Sequence, residues 1–477
     1  LSGASVQSTT GLSYFFISVL QRGFMLSSII LAAGKGTRMR SVLPKVLQPL
    51  GGQPLLHHVI HTAQSLALRQ TIIVAGFGLE AVQDACVGLN VSWAVQAQQL
   101  GTGHAVAQAV DQLLDEETAL ILYGDVPLIQ AGTLARLVDL VDDAHPLALL
   151  TVHLPDPTGY GRIVRDASGN MQRIVEQKDA TPSERSIGEV NTGIMAVKGK
   201  QLRAWLARLE NNNSQGEYYL TDIIAMAVSD GFMVRSAEAT SEMEVLGVND
   251  KAQLAGLERM YQQEKVNALL KAGVTVLDPA RCDIRGRVEA GMDVSIDVNV
   301  ILSGKVVLGN NVMIGAGCVL TNVTLGDGVT LLPYSVLEDC VIGADSRVGP
   351  FARVRPGTVT QDHAHIGNFV ELKNAQLGSG AKVNHLSYVG DATIGAKVNI
   401  GAGTITCNYD GVNKHRTVIG EGAFIGSNSA LVAPVSIGAG ATIGAGSVVT
   451  KDAPEDKLTL ARAKQMTLES WQRPVKK

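Results

Sequence analysis

Residues 31–39 read LAAGKGTRM, and Pro44-Lys45 follows six residues after Arg38. The apolar run SSIIL ends just before this stretch, so Gly34 and Gly36 would leave backbone N–H groups open at a strand end, with Arg38 bringing charge to the same turn. That chemistry suits a phosphate. It is neither of the two common phosphate patterns: G-x-x-x-x-G-K-[ST] is absent, and Met39 stands where the third glycine of G-x-G-x-x-G would be. In ILYGDVPL, Asp125 directly follows an apolar strand. A carboxylate there could hold a Mg²⁺ bridging phosphate oxygens, or simply cap the turn before Pro127. In QAQQLGTGHA, Gln96 can offer a donor and an acceptor to a base edge, while Gly101 and Thr102 allow close backbone approach; the same string also reads as a turn opening a helix. Far downstream, His385 is the one histidine whose surroundings suggest a base.

These groups need elements to hold them. Residues 25–250 alternate short apolar runs with helical patterns, which predicts a doubly wound, Rossmann-like α/β domain around a mostly parallel sheet, with ligands at the carboxyl ends of its strands. Leu254, Leu257, Tyr261, Val266, Leu269 and Leu270 follow helical spacing, so residues 251–272 read as a linker helix. Over 273–477 the grammar changes. Ile419, Ile425, Leu431, Ile437, Ile443 and Val449 recur every six residues, as do Ile296, Leu302, Leu308, Ile314 and Leu320. Small or β-branched residues precede each member of the first run by two, from Thr417 to Ser447. Neither a helix nor simple alternation gives that spacing; short strands lining a narrow prism do, which is a hexapeptide-repeat parallel β-helix.

The register of six also sorts side chains. Val383 and Val389 take inward aliphatic positions and Ala381 and Ser387 inward small ones, which leaves His385 outside the packing. Arg355, Lys373, Tyr388 and Asn399 flank the inward Val354, Leu372, Val389 and Ile400, so they belong to the rim. Between Ile400 and Ile419 the polar string TITCNYDGVNKHRT breaks the repeat and predicts a loop thrown out from the coil.

Composition sets the outer limits. A formal net charge of −4 gives no basic field for nucleic acid or an anionic membrane, so an anion must be met locally. Five cysteines without a C-x-x-C fit a reducing, cytoplasmic setting better than a disulfide framework or a zinc site. The run SYFFISVL is too short to span a bilayer and has no cleavage signature, so residues 1–24 read as a disordered extension ahead of Met25. His57 with His61, and His363 with His365, lack the further ligands a metal would need.

The string LAAGKGTRM-x₄-PK resembles the nucleotidyltransferases that join a sugar 1-phosphate to a nucleoside triphosphate. GNFVELKNAQLG, VNHLSYVGDATIG and VNIGAGTITCNYDG resemble the acetyltransferase half of the bifunctional N-acetylglucosamine-1-phosphate uridyltransferase/glucosamine-1-phosphate acetyltransferase family, and the likeness runs from Met25 to the terminal WQRPVKK. Asn384 departs from it, standing where glycine is usual before the histidine. The resemblance implies a left-handed β-helix that associates as a homotrimer. It implies two reactions, acetyl transfer from acetyl-CoA to glucosamine 1-phosphate and then uridylyl transfer from UTP to the product, giving UDP-N-acetylglucosamine for envelope polysaccharide. It makes Arg38 and Lys45 charge stabilisers, Asp125 and Asn249 the holders of one Mg²⁺, and Leu31, Ala32, Ala33, Gly34, Gln96, Gly101, Thr102, Tyr123 and Gly124 the nucleotide side. Gly161, Glu176 and Asn191 would form the sugar side. In the other half it makes His385 the general base, with Arg355, Lys373, Tyr388 and Asn399 on glucosamine 1-phosphate and Ala402, Asn408, Tyr409, Ser427, Ala445 and Arg462 on acetyl-CoA. The alternative is a single-activity sugar nucleotidyltransferase whose β-helix is only a scaffold.

Overall fold

The computed structural model describes residues 25–213 and 215–476, and the expectation for residues 1–24 falls outside them. The chain divides between Tyr261 and Gln262 into two compact units.

In the first unit, nine strands form one sheet: Leu26–Ala32 (β1), Gln70–Ala75 (β2), Ser92–Val95 (β3), Thr118–Tyr123 (β4), Leu147–His153 (β5), Arg162–Arg165 (β6), Met171–Val175 (β7), Glu189–Lys198 (β8) and Arg235–Glu238 (β9). Its path is β9-β5-β8-β4-β1-β2-β3, with the β6–β7 hairpin attached to β8. Every residue of β1 is buried between its parallel neighbours β2 and β4. Successive side chains alternate between two apolar layers. Ile30 and Ala32 join Ile73, Leu120 and Leu122 on one side, with Leu56, Val59 and Ile60 of helix Leu55–Gln64 (α1). Ile29 and Leu31 join Ile72, Val74 and Ile121 on the other, with Ala105 and Val106 of helix Thr102–Ala107 (α2). Two covered faces explain why the strand reads as a continuous apolar run.

Besides the antiparallel β6–β7 hairpin, one strand of the main path departs from the parallel expectation. β8 runs antiparallel to both β4 and β5. The β6–β7 hairpin returns the chain at the carboxyl end of β5, so β8 starts there, with Glu189 opposite His153 and Asn191 opposite Thr151. The reversal thus brings Asn191 to the end of the sheet where ligands gather.

Helix Lys251–Lys271 (α3) carries the chain into the second unit. There the Gln262 side chain donates to the Ile284 carbonyl and accepts from the Ile284 N–H, standing in for a neighbouring strand at the first coil. The paired strands that follow are parallel and make three walls. One wall is an 11-stranded ladder; the other two belong to a 15-stranded sheet. Strand Val336–Ile342 joins these two, since Leu337 pairs with Val354 while Val341 pairs with Val359. Ile419, Ile425, Leu431, Ile437, Ile443 and Val449 are all buried, together with Thr417, Ala423, Ser429, Val435, Ala441 and Ser447. The six-residue step is therefore the spacing of inward aliphatic and small positions around the prism.

Corners are turned by residues with left-handed backbone. One corner repeats on successive coils at Tyr334, Phe351, Phe369, Leu386, Gly403, Asn428 and Gly446, all at φ between 49° and 74°. The three rings stack outside the prism, with centroids 5.3 and 5.5 Å apart. The protruding segment is shorter than the sequence suggests. Ile405–Cys407 stays in the coil as a strand, pairing with Tyr388 and with Ala430–Val432, because Thr406 fills an inward position. Only residues 408–416 leave the wall, closed by an antiparallel bridge between Tyr409 and Lys414.

Candidate active sites

In the first unit, the end of β1 feeds a 3₁₀ turn, Thr37–Met39, entered through Gly36 at φ 55°. A Cβ on Gly36 would sit 2.7 Å from Lys45 Cβ, so a side chain there would displace the lysine as well as strain the backbone. Lys45 Nζ donates to Asp125 Oδ2 and lies 3.5 Å from Asn249 Oδ1. Arg38 donates to that same Asn249 oxygen at 2.9 Å. Asn249 is far off in sequence but is brought here by backbone: the Val248 N–H donates to the Asp125 carbonyl at 3.0 Å. Gly124 N–H donates to the Leu31 carbonyl at 2.9 Å, which fixes the Asp125 turn beside the start of the glycine-rich one.

Two cavities open on this cluster. One, of about 340 Å³, is lined by Leu31 to Gly34, Lys45, Gln96, Gly101, Thr102, Tyr123 and Asp125. Nothing lies within 4 Å of a Cβ built on Gly34, so its backbone faces open space. Gln96 is buried, with its amide donating to the Gly101 carbonyl and contacting His104 Nδ1, both at 3.1 Å. The other cavity, about 370 Å³, contains Arg38, Tyr123, Asp125, Tyr160, Thr192 and Asn249 among its walls. Burial and the carboxylates of Asp125 and Glu176 push the Tyr123 phenol far up, so it stays a neutral donor. Gly193 packs against that ring: a Cβ would come within 2.5 Å of it. Asn191 accepts from the Gly193 N–H at 2.8 Å, and its own N–H donates to the Gly161 carbonyl at 2.8 Å. Glu176 stands 3.3 Å from a Cβ built on Gly161, with its carboxyl raised by burial and by Asp179. It lines a third cavity of about 520 Å³ with Tyr219, Thr221 and Asp222.

In the second unit, His385 is exposed while Ala381, Val383, Ser387 and Val389 are buried. It occupies the position before the left-handed corner at Leu386. Ala402, Ser427 and Ala445 occupy the same position before Gly403, Asn428 and Gly446, so the four residues form one column. Bonds link each level to the next. Gly403 N–H donates to the His385 carbonyl at 3.2 Å, Asn428 N–H to Ala402 at 2.7 Å, Gly446 N–H to Ser427 at 2.8 Å, and the Arg462 guanidinium to Ala445 at 2.8 Å. His385 Nδ1 lies 2.9 Å from Asn368 Oδ1, one coil away, in a register-paired position of the adjacent strand. An amide oxygen only accepts, so in the neutral ring this contact favours the proton on Nδ1 and the lone pair on Nε2.

Around the corner, Arg355 pairs with Glu371 at 2.7 Å, which raises the guanidinium's already high pKa. Asp391 accepts from Asn374 at 2.7 Å and from Asn408 at 2.5 Å, and Asn408 Nδ2 lies 3.5 Å from the Tyr388 hydroxyl. Asn408 is itself buried, rooting the hairpin rather than protruding with it, while Tyr409 is exposed. Asn399 is not in this group: it lies on the 11-stranded wall, between Lys382 and Phe424. Asn368, Glu371 and Asp391 escape the sequence reading. Their signal is a separation of about one coil, 16 or 17 residues for these pairs, which the six-residue period does not expose. The Asn384 side-chain oxygen is buried and has no hydrogen-bond partner among the described residues.

Among the described residues no group of three or more His, Cys, Asp and Glu could hold a metal ion. His57 is half-buried, bonded at 2.9 Å to the Ala85 carbonyl, and burial lowers its pKa. The five cysteines are free. No helix of the described residues is long and apolar enough to cross a membrane.

Comparison with known proteins bears on both units. The model of the MobA-like NTP transferase domain matches residues 28–273, that of the GMPPB C-terminal domain residues 284–367, and that of the bacterial transferase hexapeptide (six repeats) residues 416–451. The bifunctional protein GlmU of Methylococcus capsulatus is 58% identical over 450 residues, covering 94% of this chain and 97% of that protein. Those of Ralstonia nicotianae and Cellvibrio japonicus are 56% and 57% identical, covering 94% and 95% of this chain and 99% and 100% of theirs.

Proposed function

The chain belongs to the family of bifunctional GlmU proteins, and from that premise we propose how its own residues divide the family's two reactions. Its β-helix acetylates glucosamine 1-phosphate with acetyl-CoA, and its sheet domain couples the product to UTP, releasing pyrophosphate and UDP-N-acetylglucosamine.

For uridylyl transfer, a phosphate oxygen of N-acetylglucosamine 1-phosphate attacks the α-phosphorus of UTP, and the bond to the bridging oxygen of pyrophosphate breaks. Negative charge builds on nucleophile, centre and leaving group together, so positioning and charge neutralisation dominate. Arg38 and Lys45 supply the neutralisation. Asp125 and Asn249 suit a Mg²⁺, since their side-chain oxygens converge on a single cationic atom, Lys45 Nζ; a hard cation that keeps most of its waters needs few protein donors. When bound, the ion would stabilise the negative charge that builds on the phosphate groups. Gln96, Gly101 and Thr102, with the Leu31–Gly34 and Tyr123–Asp125 segments, receive the nucleotide, and Gly161, Glu176 and Asn191 the sugar.

For acetyl transfer, a protonated amine is a poor nucleophile. His385 Nε2 takes the proton as the amine attacks the thioester carbonyl, and the carbon–sulfur bond then breaks to release CoA thiolate. The Ala402–Ser427–Ala445 column leading to Arg462 seats acetyl-CoA with Asn408 and Tyr409, and Arg355, Lys373 and Tyr388 take glucosamine 1-phosphate. Asn399, lying on another wall, reaches such a pocket from a neighbouring copy in a homotrimer, which fits hexapeptide-repeat association. The observation that best supports the uridylyl-transfer assignment is the shared bonding of residues 38, 45, 125 and 249, which line two cavities that meet at Asp125.

The test is direct. Protein incubated with glucosamine 1-phosphate, acetyl-CoA, UTP and Mg²⁺ forms UDP-N-acetylglucosamine. Omitting acetyl-CoA stops everything unless N-acetylglucosamine 1-phosphate is supplied, and omitting Mg²⁺ stops only pyrophosphate release. Uridylyl transfer persisting at full rate in chelator removes the metal role.

A further inference from the structure

We propose that His104 is a positioning residue for nucleotide choice: it fixes the Gln96 amide with its oxygen toward the bound base, so that uracil is accepted and cytosine refused. The inference rests on the reading above that Gln96 receives the nucleotide.

Gln96 directly follows β3 and is buried, with its backbone N–H donating to the Ala75 carbonyl at 2.8 Å. An amide end carries two donor hydrogens on its nitrogen and an acceptor oxygen of similar shape, so its partners decide which way it turns. Gln96 Nε2 donates to the Gly101 carbonyl at 3.1 Å and lies 3.1 Å from His104 Nδ1. Turned over, the amide would set its oxygen against the Gly101 carbonyl oxygen, two acceptors with no proton between them. Nε2 therefore stays where it is, His104 Nδ1 accepts its second hydrogen, and the neutral ring carries its own proton on Nε2. That side of the ring meets Gln108 at 3.3 Å, an exposed residue whose amide can turn its oxygen to it.

Both partners are themselves held. The Gly103 N–H donates to the Tyr218 carbonyl at 2.8 Å, the Leu220 N–H to Thr102 Oγ1 at 3.1 Å, and the Ala105 N–H to the Gly101 carbonyl at 3.1 Å. A Cβ on Gly101 would come within 2.6 Å of the Tyr218 carbonyl oxygen, so the start of α2 packs tightly against this segment. With both nitrogen hydrogens engaged inside the protein, Oε1 is what Gln96 offers to the cavity it lines with Gly34, Lys45 and Tyr123; among the described residues that oxygen makes no hydrogen bond. It is an acceptor only. Uracil N3 carries a hydrogen and cytosine N3 a lone pair. Set opposite N3, the oxygen gains a bond from uracil and faces a second acceptor in cytosine, which is the strongly destabilising kind of mismatch. An amide without its tether could turn its NH2 to cytosine and lose the distinction.

The experiment is steady-state uridylyl transfer by the full chain, with CTP as competitor, for the parent and for His104→Leu, His104→Asn and Gln96→Ala. The readout is the ratio of the CTP inhibition constant to KM for UTP. We expect His104→Leu to lower this ratio about five- to tenfold, the weight of one hydrogen bond, with KM for N-acetylglucosamine 1-phosphate within twofold of the parent. His104→Asn, whose side-chain oxygen can accept the same hydrogen, should recover most of the ratio. An unchanged ratio in His104→Leu, even where activity falls, overturns this proposal; if Gln96→Ala still lowers the ratio, the reading of Gln96 stands. A loss in His104→Leu that His104→Asn shares in full makes ring packing the cause and also overturns it. If neither His104→Leu nor Gln96→Ala moves the ratio or KM for UTP, the base is read elsewhere, and both readings fall.

Discussion

At the scale of single residues, the two halves depend on different protonation and charge devices. As the proposed base, His385 needs Nε2 free, and Asn368 favours that tautomer by accepting from Nδ1. Removing the base outright, His385→Ala, should lower acetyl transfer by about 10²–10⁴. Asn368→Ala should cost less, about tenfold, because the ring remains but samples the wrong tautomer and orientation. Asn368→Asp should raise the pKa seen in the pH–rate profile, since a carboxylate favours imidazolium. A merely structural Asn368 would leave that pKa where it was. Glu176 is a different case, held above its ordinary value mainly by burial. A carboxyl with a raised folded value keeps its proton longer in the folded state, so stability declines as pH rises between the unfolded and folded values, and above both the full cost of burying the charge remains. Glu176→Gln should therefore be more thermostable than the parent at pH 8 and lose that advantage near pH 4. In the same variant KM for N-acetylglucosamine 1-phosphate should rise about tenfold, as expected for a lost bond to a charged group.

At the scale of elements, a corner column that seats acetyl-CoA as proposed should make acetyl transfer sensitive to the spacing of coils. A Cβ on Gly426 would lie 2.4 Å from the Ala445 nitrogen and 2.7 Å from the Ile443 carbonyl, both of them backbone that cannot move aside. Gly426→Ala should then cost about 1–3 kcal/mol, the usual penalty of overpacking, and pry apart the column that runs from His385 to Ala445. We expect a lower melting transition and a lower acetyl-transfer rate, with uridylyl transfer unchanged; equal loss of both activities would count against the column's role. The column also marks where sequence reading stops. The six-residue step placed Ala381, Val383 and Ser387 inward and so freed His385, because inward packing is periodic. Asn368 and Glu371 lie one coil from the groups they bind, and coil length varies, so no fixed spacing announces them. The hairpin is shorter than the polar run for a related reason: Thr406 and Asn408 are polar yet buried, each satisfied by a partner in the neighbouring coil. In the sheet domain, the parallel strands were legible from their apolar runs. The reversal of β8 was not, since strand direction is set by where the hairpin before it ends.

At the scale of the whole molecule, the two proposed sites use no residue in common: one draws on positions 31–249 and the other on positions 355–462. Nor does the chemistry require a covalent carrier, because N-acetylglucosamine 1-phosphate leaves the first reaction as a complete, water-soluble molecule. Two damaged proteins should therefore repair one another. Asp125→Asn alone, supplied with glucosamine 1-phosphate, acetyl-CoA, UTP and Mg²⁺, should accumulate N-acetylglucosamine 1-phosphate with little pyrophosphate, since it loses the carboxylate nearest Lys45 and a charge for the metal. His385→Ala alone should accumulate nothing but accept the finished sugar phosphate normally. Mixed in equal amounts, they should make UDP-N-acetylglucosamine after a lag, while the intermediate builds up in solution, and then at a substantial fraction of the parent rate. Adding more of the His385→Ala protein should shorten that lag without raising the final rate, because consumption of the intermediate sets the lag while acetylation is supplied only by its partner. If Asp125→Asn releases no free N-acetylglucosamine 1-phosphate and the mixture makes no coupled product, while the parent makes UDP-N-acetylglucosamine, the intermediate must pass between sites without entering the solvent.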